Sequence, residues 1–142
     1  MIKNLHLYFG EEKLLAEDEI RTIKSKVVPA HLEMVNYIVL NGEAASEHDI
    51  LRAMGTVPMM AEHKLVVVRE ARFFASGGKD NDISDGFFKF LSEPPEHTLT
   101  IFTAEKPDKR KKIFKLFQKH AVIKDFSKPS PKIKAQWIQN RS

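Results

Sequence analysis

The sequence predicts an α/β domain with a mostly parallel five-stranded sheet and helices on both faces. Short apolar strands alternate with amphipathic helices in the order β-α-β-α-β-α-β-α-β, which is typical of a parallel sheet. The uninterrupted apolar run Leu65–Val68 predicts a strand that is buried on both faces. The length of 142 residues and the content of 42% hydrophobic and 30% charged residues fit one globular domain.

The five strands are predicted from apolar runs that end at turn residues. The first run alternates apolar with polar or amphipathic residues and stops at Gly10, and the second ends at the turn sequence Asn41-Gly42. The predicted strands are Leu5–Phe9, Val35–Leu40, Leu65–Val68, Leu99–Phe102 and Val122–Phe126.

Four helices are predicted between these strands, because apolar residues recur there at helical spacing. The first helix ends at Pro29, and the second starts at Ser46-x-x-Asp49, which resembles a capping box. Gly55 and Pro58 break the second helix. The predicted helices cover Ala16–Val27, Ser46–Met54, Phe87–Leu91 and Lys109–His120.

The predicted domain covers residues 1–126 and includes one polar loop, Ser76–Asp82. Ser127–Lys132 has the composition of a linker, and Lys134–Gln139 starts another helix that has little chain left to pack on. We therefore expect residues 127–142 to be a linker and the start of a following lid domain, in a chain cut from a longer protein.

Composition excludes several classes of function. The chain has no cysteine, which excludes a disulfide framework and a cysteine-bound zinc site and fits a reducing, cytoplasmic setting. Its longest apolar run is far below the roughly 18 residues of a membrane span, so no membrane partner is predicted. The histidines have no metal-binding spacing, and no G-x-S-x-G motif occurs. We predict no catalytic residue, metal or cofactor.

The turn after the first strand lacks the residues of a phosphate site. A P-loop needs glycines for close backbone approach and a hydroxyl after its lysine. The turn Gly10–Leu14 has one glycine, no hydroxyl after Lys13, and two carboxylates where phosphate would lie. Arg69 ends the third strand, where P-loop ATPases hold magnesium with an acidic residue. The sequence therefore predicts that this turn does not bind nucleotide.

Val57, Pro58, Met59 and Met60 form an apolar segment between a broken helix and the polar stretch Glu62–Lys64. Exposed apolar clusters with polar rims typically mark partner sites. Burial of each methionine in a partner would contribute about 1.5–3 kcal/mol. The alternative is that the two methionines cap the core of the domain.

Positive charge is concentrated towards the C-terminal end. Residues 106–142 hold 12 of the 23 Lys and Arg residues but only 2 of the 19 Asp and Glu residues. Lys109, Arg110, Lys111 and Lys112 are candidates for contact with the DNA backbone or a neighbouring subunit, which would be salt-dependent and independent of sequence. The alternative is a solvated helix start, although four cations there oppose the helix dipole.

Five segments, taken in order, resemble the N-terminal domain of the delta subunit of the bacterial DNA polymerase III clamp loader. They are Leu7–Leu15, Leu40–Ala44, Val57–Val68, Leu91–Pro95 and Lys106–Lys112. The resemblance spans nearly the whole chain, from Leu5 to Trp137. It implies an AAA+ type, P-loop NTPase-like fold that has lost its functional P-loop.

The resemblance also implies a partner. In that family, the element before the third strand carries a pair of bulky apolar residues, often Leu-Phe or Phe-Phe, which enters an apolar pocket of the sliding clamp. Here the matching residues are Met59 and Met60, preceded by Val57 and Pro58. The implied function is binding and opening of the beta sliding clamp during DNA replication, without ATP hydrolysis by this subunit.

The other implied partners are the ATP-binding and delta-prime subunits of the loader, within a DNA polymerase holoenzyme. Those subunits resemble one another in a cysteine-bound zinc module, and this chain has no cysteine, which favours the delta assignment. Two alternatives stay open: a nucleotide-dependent ATPase subunit of the loader, and a DNA-binding domain that uses the basic segment.

Overall fold

The computed structural model describes residues 4–75 and 83–127, which form one five-stranded sheet. The strands are β1 (Leu5–Phe9), β2 (Tyr37–Asn41), β3 (Lys64–Arg69), β4 (Thr98–Ala104) and β5 (Val122–Asp125). Their spatial order is β2-β3-β4-β1-β5, and every neighbouring pair is parallel. In this register, Leu7 of β1 lies opposite Phe102 of β4 and Ile123 of β5. The predicted α/β fold is therefore confirmed.

The connections between strands are mainly helical. The α-helices are α1 (Lys13–Val27), α2 (Glu33–Asn36), α3 (Glu47–Gly55), α4 (Asp85–Ser92) and α5 (Lys112–His120). Short 3-10 helices lie at Ala30–Leu32 and Arg72–Phe74. The predicted polar loop Ser76–Asp82, the linker beyond Ser127 and the helix predicted after it lie outside the described residues.

Each face of the sheet carries its own apolar core, because alternate side chains of a strand point to opposite faces. On one face, Ile20 of α1 belongs to a buried cluster with Val67 of β3. On the other face, α3, α4 and α5 cover a larger cluster. At its centre the rings of Phe74, Phe102 and Phe117 meet edge to face, with centroids 5.0–6.2 Å apart. The prediction of helices on both faces is thus confirmed.

The predicted start of the second strand at Val35 is wrong. Val35 lies in the short helix α2, and β2 begins at Tyr37. The apolar run extends across this boundary, so hydrophobicity does not mark it. What distinguishes Asn36 is a side chain that bonds to a distant loop, a contact that a local pattern does not contain.

The predicted start of the last helix at Lys109 is also wrong, because α5 begins at Lys112. The side chain of Asp108 accepts a hydrogen bond from the backbone N–H of Arg110 at 3.0 Å. The backbone N–H of Lys111 donates to the carbonyl of Asp108 at 3.2 Å. These bonds form a turn before the helix, as aspartate side chains commonly do.

Candidate partner-binding site

The carboxyl ends of β1, β3 and β4 border a crevice at the place where open parallel sheets commonly bind ligands. A cavity of about 460 Å³ lies here. Its charged lining residues come from the turn after β1, from α1 and from the ends of β3 and β4; they are Lys13, Glu17, Arg69, Glu70 and Glu105. This is the site that would hold a nucleotide if the fold had kept that function.

The charged residues of the crevice are paired with one another. The Nζ atom of Lys13 lies 3.4 Å from Glu70 Oε1 and 3.7 Å from Glu105 Oε2. The guanidinium of Arg69 pairs with Glu17 of α1. The lysine that would approach a phosphate is therefore shared by two carboxylates, and a cation stands at the end of β3 where a metal ligand would be needed.

Backbone groups of the turn after β1 are engaged as well. The N–H of Glu12 donates to the carbonyl of Phe126 at 2.9 Å, and that of Gly10 donates to Ala104 at 3.2 Å. Gly10 has a φ of +125°, and a Cβ there would lie 2.2 Å from the carbonyl carbon of Phe126. The chain that follows β5 thus engages the Glu12 amide, and β4 engages the Gly10 amide, although a phosphate cradle would leave such groups open to its ligand.

Residues 56–63, here called the apolar loop, connect α3 to β3 and carry three large apolar side chains at the surface. Met60 is 88% exposed, Val57 is 66% exposed and Met59 is 56% exposed. Pro58 is half-buried, and the polar neighbours Glu62 and His63 are exposed. The alternative interpretation, in which the two methionines cap the core, is therefore wrong.

Two buried polar side chains hold the base of the apolar loop. Lys64, the first residue of β3, is 1% exposed and donates from Nζ to the carbonyl of Ala53 in the last turn of α3. Burial lowers the pKa of this lysine. Thr98 donates from Oγ1 to the carbonyl of Met54 at 2.9 Å. Carbonyl groups at a helix end have no partner within the helix, so these donors complete the end of α3 and tie it to the sheet.

A third buried side chain holds the middle of the apolar loop. Asn36 is fully buried, and its Nδ2 donates to the carbonyl of Met59 while its Oδ1 accepts from the N–H of Met59, both at 2.8 Å. The next residue, Met60, has a φ of +57°, in the left-handed region. Sequence reasoning did not single out Asn36. Its one visible signal is a lone polar residue within the apolar run Met34–Leu40.

The basic segment Lys109–Lys112 is not a uniform cationic surface. Lys111 is only 7% exposed and donates from Nζ to the carbonyl of Phe73 at 3.1 Å. Its ammonium group is thus used within the fold, which leaves it little surface for the predicted contact with DNA or a neighbouring subunit. Arg110 is bound to Asp108 through Nε and Nη2, at 3.1 and 3.2 Å, and this contact lowers the pKa of Asp108.

The other two cations of the segment are exposed along their side chains. The Nζ atom of Lys109 lies 5.2 Å from the ring centroid of Phe9, within the range of a cation–π contact. Lys112 is the first residue of α5 and is exposed. The structure therefore leaves Lys109, Arg110 and Lys112 exposed.

Comparison with known proteins places these features in a family. Residues 6–127 match the family model of the DNA polymerase III delta subunit. The chain belongs to this family. The matched range includes the crevice with its ion pairs, the apolar loop and the basic segment. The match confirms the resemblance seen in the sequence.

The delta-family chain is similar to a curated relative, DNA polymerase III subunit delta of Bacillus subtilis strain 168. The two are 26% identical over 124 residues, which is 84% of this chain and 36% of the relative. The chain thus spans little more than a third of the length of that relative.

Two solved structures share the fold of the delta-family chain. The Bacillus subtilis DNA clamp loader delta protein superposes with a TM-score of 0.87 at 24% identity, over 98% of this chain and 42% of that one. A DNA polymerase III gamma subunit-related protein from Thermotoga maritima gives a TM-score of 0.58 at 14% identity, over 98% of this chain and 46% of that one.

Within residues 4–75 and 83–127, no helix is long and apolar enough to cross a membrane.

Proposed function

We propose that this delta-family chain binds the beta sliding clamp through Val57, Pro58, Met59 and Met60, and that binding opens the clamp ring during DNA replication. The observation that carries the proposal is the exposure of Met59 and Met60 on a loop whose backbone is held at its base and middle. A binding segment that is already ordered loses less conformational freedom on association. Its place of action would be the bacterial cytoplasm.

The chemistry of the apolar loop fits an apolar pocket with polar margins. Methionine side chains are flexible and polarisable, so they fit irregular pockets well. The exposed neighbours Glu62 and His63 would lie at the margin of the contact, where polar residues are usual. A few buried anchors commonly supply most of the energy of such an interface.

We propose further that the chain acts without hydrolysing ATP and works beside the ATP-binding and delta-prime subunits of the loader. This is supported by the pairing of Lys13 with two carboxylates and by the engagement of the Glu12 amide by Phe126. The alternative of a nucleotide-dependent ATPase would require both contacts to be broken. Similarity to the DNA clamp loader delta protein of Bacillus subtilis supports the same assembly.

The test is a titration of the chain against the clamp of the same organism. We expect the Met59→Ala/Met60→Ala variant to bind more weakly than wild type, because it lacks both anchors. Leu14→Ala is the matched control, since Leu14 is 80% exposed and lies on α1 rather than in the apolar loop. Equal affinity of wild type and the double variant would refute the loop assignment.

Ring opening needs its own measurement. A clamp labelled with two fluorophores across its ring interface would report a change in separation when the chain is added. We expect wild type to increase the separation and the double methionine variant to leave it unchanged at the same concentration. Binding without any change of separation would limit the function to clamp attachment.

Lys109, Arg110 and Lys112 support a second candidate function, contact with the DNA backbone, because their side chains are exposed. Such binding should weaken as salt is raised, since each phosphate contact releases a counterion. The discriminating variants are Lys109→Gln/Lys112→Gln and Met59→Ala/Met60→Ala. DNA binding that falls in the first variant and survives in the second would establish this role. Binding that is the same in wild type and the lysine variant would exclude it.

A further inference from the structure

We propose that Asn36 is a positioning residue for the apolar loop and holds Met59 and Met60 in one backbone conformation, ready for the partner. The identity of the partner rests on the proposed function above. The holding of the loop does not, because it can be measured in the chain alone.

Both hydrogen bonds of the Asn36 side chain go to the backbone of one residue. Asn36 lies 23 residues before Met59, yet both atoms of its carboxamide are used on the backbone of that residue, each at 2.8 Å. A carboxamide offers a donor and an acceptor side by side, so it can match the N–H and C=O of one residue together. Asn36 is fully buried, so rotation of its side chain would leave polar atoms without partners.

The backbone beside this contact is strained. Met60 and Glu70 are the only non-glycine residues in the described ranges with a positive φ. A methionine reaches the left-handed region at a cost, and such a conformation persists only where its surroundings determine it. The two hydrogen bonds between Asn36 and the backbone of Met59 fix the residue immediately before Met60. They therefore supply the local constraint that this conformation requires.

The strained backbone carries side chains that are exposed, not side chains that pack in the core. Met60 is 88% exposed and Met59 is 56% exposed, so the fixed backbone displays these side chains instead of burying them. A loop that merely connected α3 to β3 could use the bonds of Asn36 for stability, but it would not need a methionine with a positive φ and an exposed side chain. A loop that must enter a pocket gains affinity from them, because affinity falls in proportion to the population of the competent conformation.

The holding of the loop is tested by amide hydrogen exchange in wild type, Asn36→Ala and Asn36→Asp. We expect the Met59 amide to exchange about tenfold faster in Asn36→Ala, because its acceptor is gone. Asn36→Asp keeps an acceptor for this amide but loses the donor to the Met59 carbonyl, so its protection should be lower than in wild type. Ser84→Ala is the control: it removes the side-chain cap of α4 and a bond to Glu47 at the start of α3, the end opposite the loop, and should leave Met59 unchanged. Unchanged Met59 exchange in Asn36→Ala would overturn the proposal.

The effect on the partner is tested with the clamp in a double-mutant cycle. We expect Asn36→Ala to weaken binding about tenfold, as it would if the competent conformation fell to about one tenth of the population. In the Met59→Ala/Met60→Ala background the same change should have no effect. A general loss of stability would weaken both backgrounds alike, so an equal loss in both would overturn the positioning role.

The remaining outcomes are distinguishable. If wild type and the double methionine variant bind the clamp equally, the proposed function fails, and the exchange result alone decides whether Asn36 holds the loop. If the clamp distinguishes those two but not Asn36→Ala from wild type, positioning by Asn36 is refuted and the proposed function stands. Should Asn36→Ala fail to fold, Asn36→Asp takes its place in the double-mutant cycle, because it loses the donor to the Met59 carbonyl. Weaker clamp binding only in the background that keeps both methionines is then expected, and an equal effect in both backgrounds would overturn the positioning role.

Discussion

Truncation of Met60 to alanine should weaken partner binding while leaving the stability of the fold nearly unchanged. Full burial of a methionine contributes about 1.5–3 kcal/mol. Met60 is 88% exposed in the free chain, so most of that contribution is still available for binding. We expect a loss of about 1.3–2.6 kcal/mol, or roughly 10- to 80-fold in Kd. Because so little of Met60 is buried, the free energy of unfolding should change by less than about 0.5 kcal/mol.

Met59 should give a smaller loss for the same reason. It is 56% exposed, so less of its surface remains to be buried by a partner. Scaling in the same way gives about 0.8–1.7 kcal/mol, or roughly 4- to 20-fold in Kd. The structure therefore predicts an order of effects, with Met60→Ala largest, Met59→Ala intermediate and Leu14→Ala negligible.

Calorimetric titration of each variant against the clamp measures these losses, and urea unfolding of the same samples measures stability. The reasoning would be refuted by a loss for Met59→Ala that exceeds the loss for Met60→Ala. It would also be refuted if Leu14→Ala weakened binding as much as either methionine variant. Exposed apolar area outside the loop would then contribute as much to the affinity as the methionines do.

Three further results are expected. Phe117→Ala should lower the free energy of unfolding by about 3–5 kcal/mol in urea, because its fully buried ring is packed against two others. Hydrogen bonds from Ser46 lower the pKa of Asp49, so its ionised form stabilises the fold above the ordinary value of 3.8, and this contribution is lost as the pH falls through the lowered value. Asp49→Asn should therefore lower the thermal midpoint at about pH 7 and matter less at about pH 2. Magnesium-ATP should leave the midpoint unchanged, since Lys13 is already shared by two carboxylates; a rise with ATP concentration would contradict this.

The sequence predicted the layers of the fold well because their cause is local. The run Leu65–Val68 predicted a strand buried on both faces, and all four side chains are fully buried in β3. The capping box that starts at Ser46 is present, with bonds between Ser46 and Asp49 in both directions. Apolar spacing and capping residues act over a few positions, so they can be read without tertiary contacts.

What the sequence did not predict depends on contacts between distant segments. The ammonium of Lys111 and the carbonyl of Phe73 are 38 residues apart in sequence, so a basic run looked uniformly exposed. The bonds from Asn36 to Met59 are equally invisible in a local pattern. The apolar loop itself could be predicted, since Val57–Met60 stand out against polar neighbours, but the device that fixes its backbone could not.

The hydrogen bond between the Glu12 amide and the Phe126 carbonyl bears on whether a nucleotide could switch this chain between states. A nucleotide is a reversible occupant, and its arrival or hydrolysis can reset the parts of a protein that touch it. A segment of the chain's own backbone is not released by hydrolysis, so this contact offers no nucleotide-driven change of state in the crevice. Under the proposed function, the exposure of Met59 and Met60 would then not depend on a nucleotide bound in this crevice. A nucleotide signal that decides when they engage would have to act from another part of the proposed assembly.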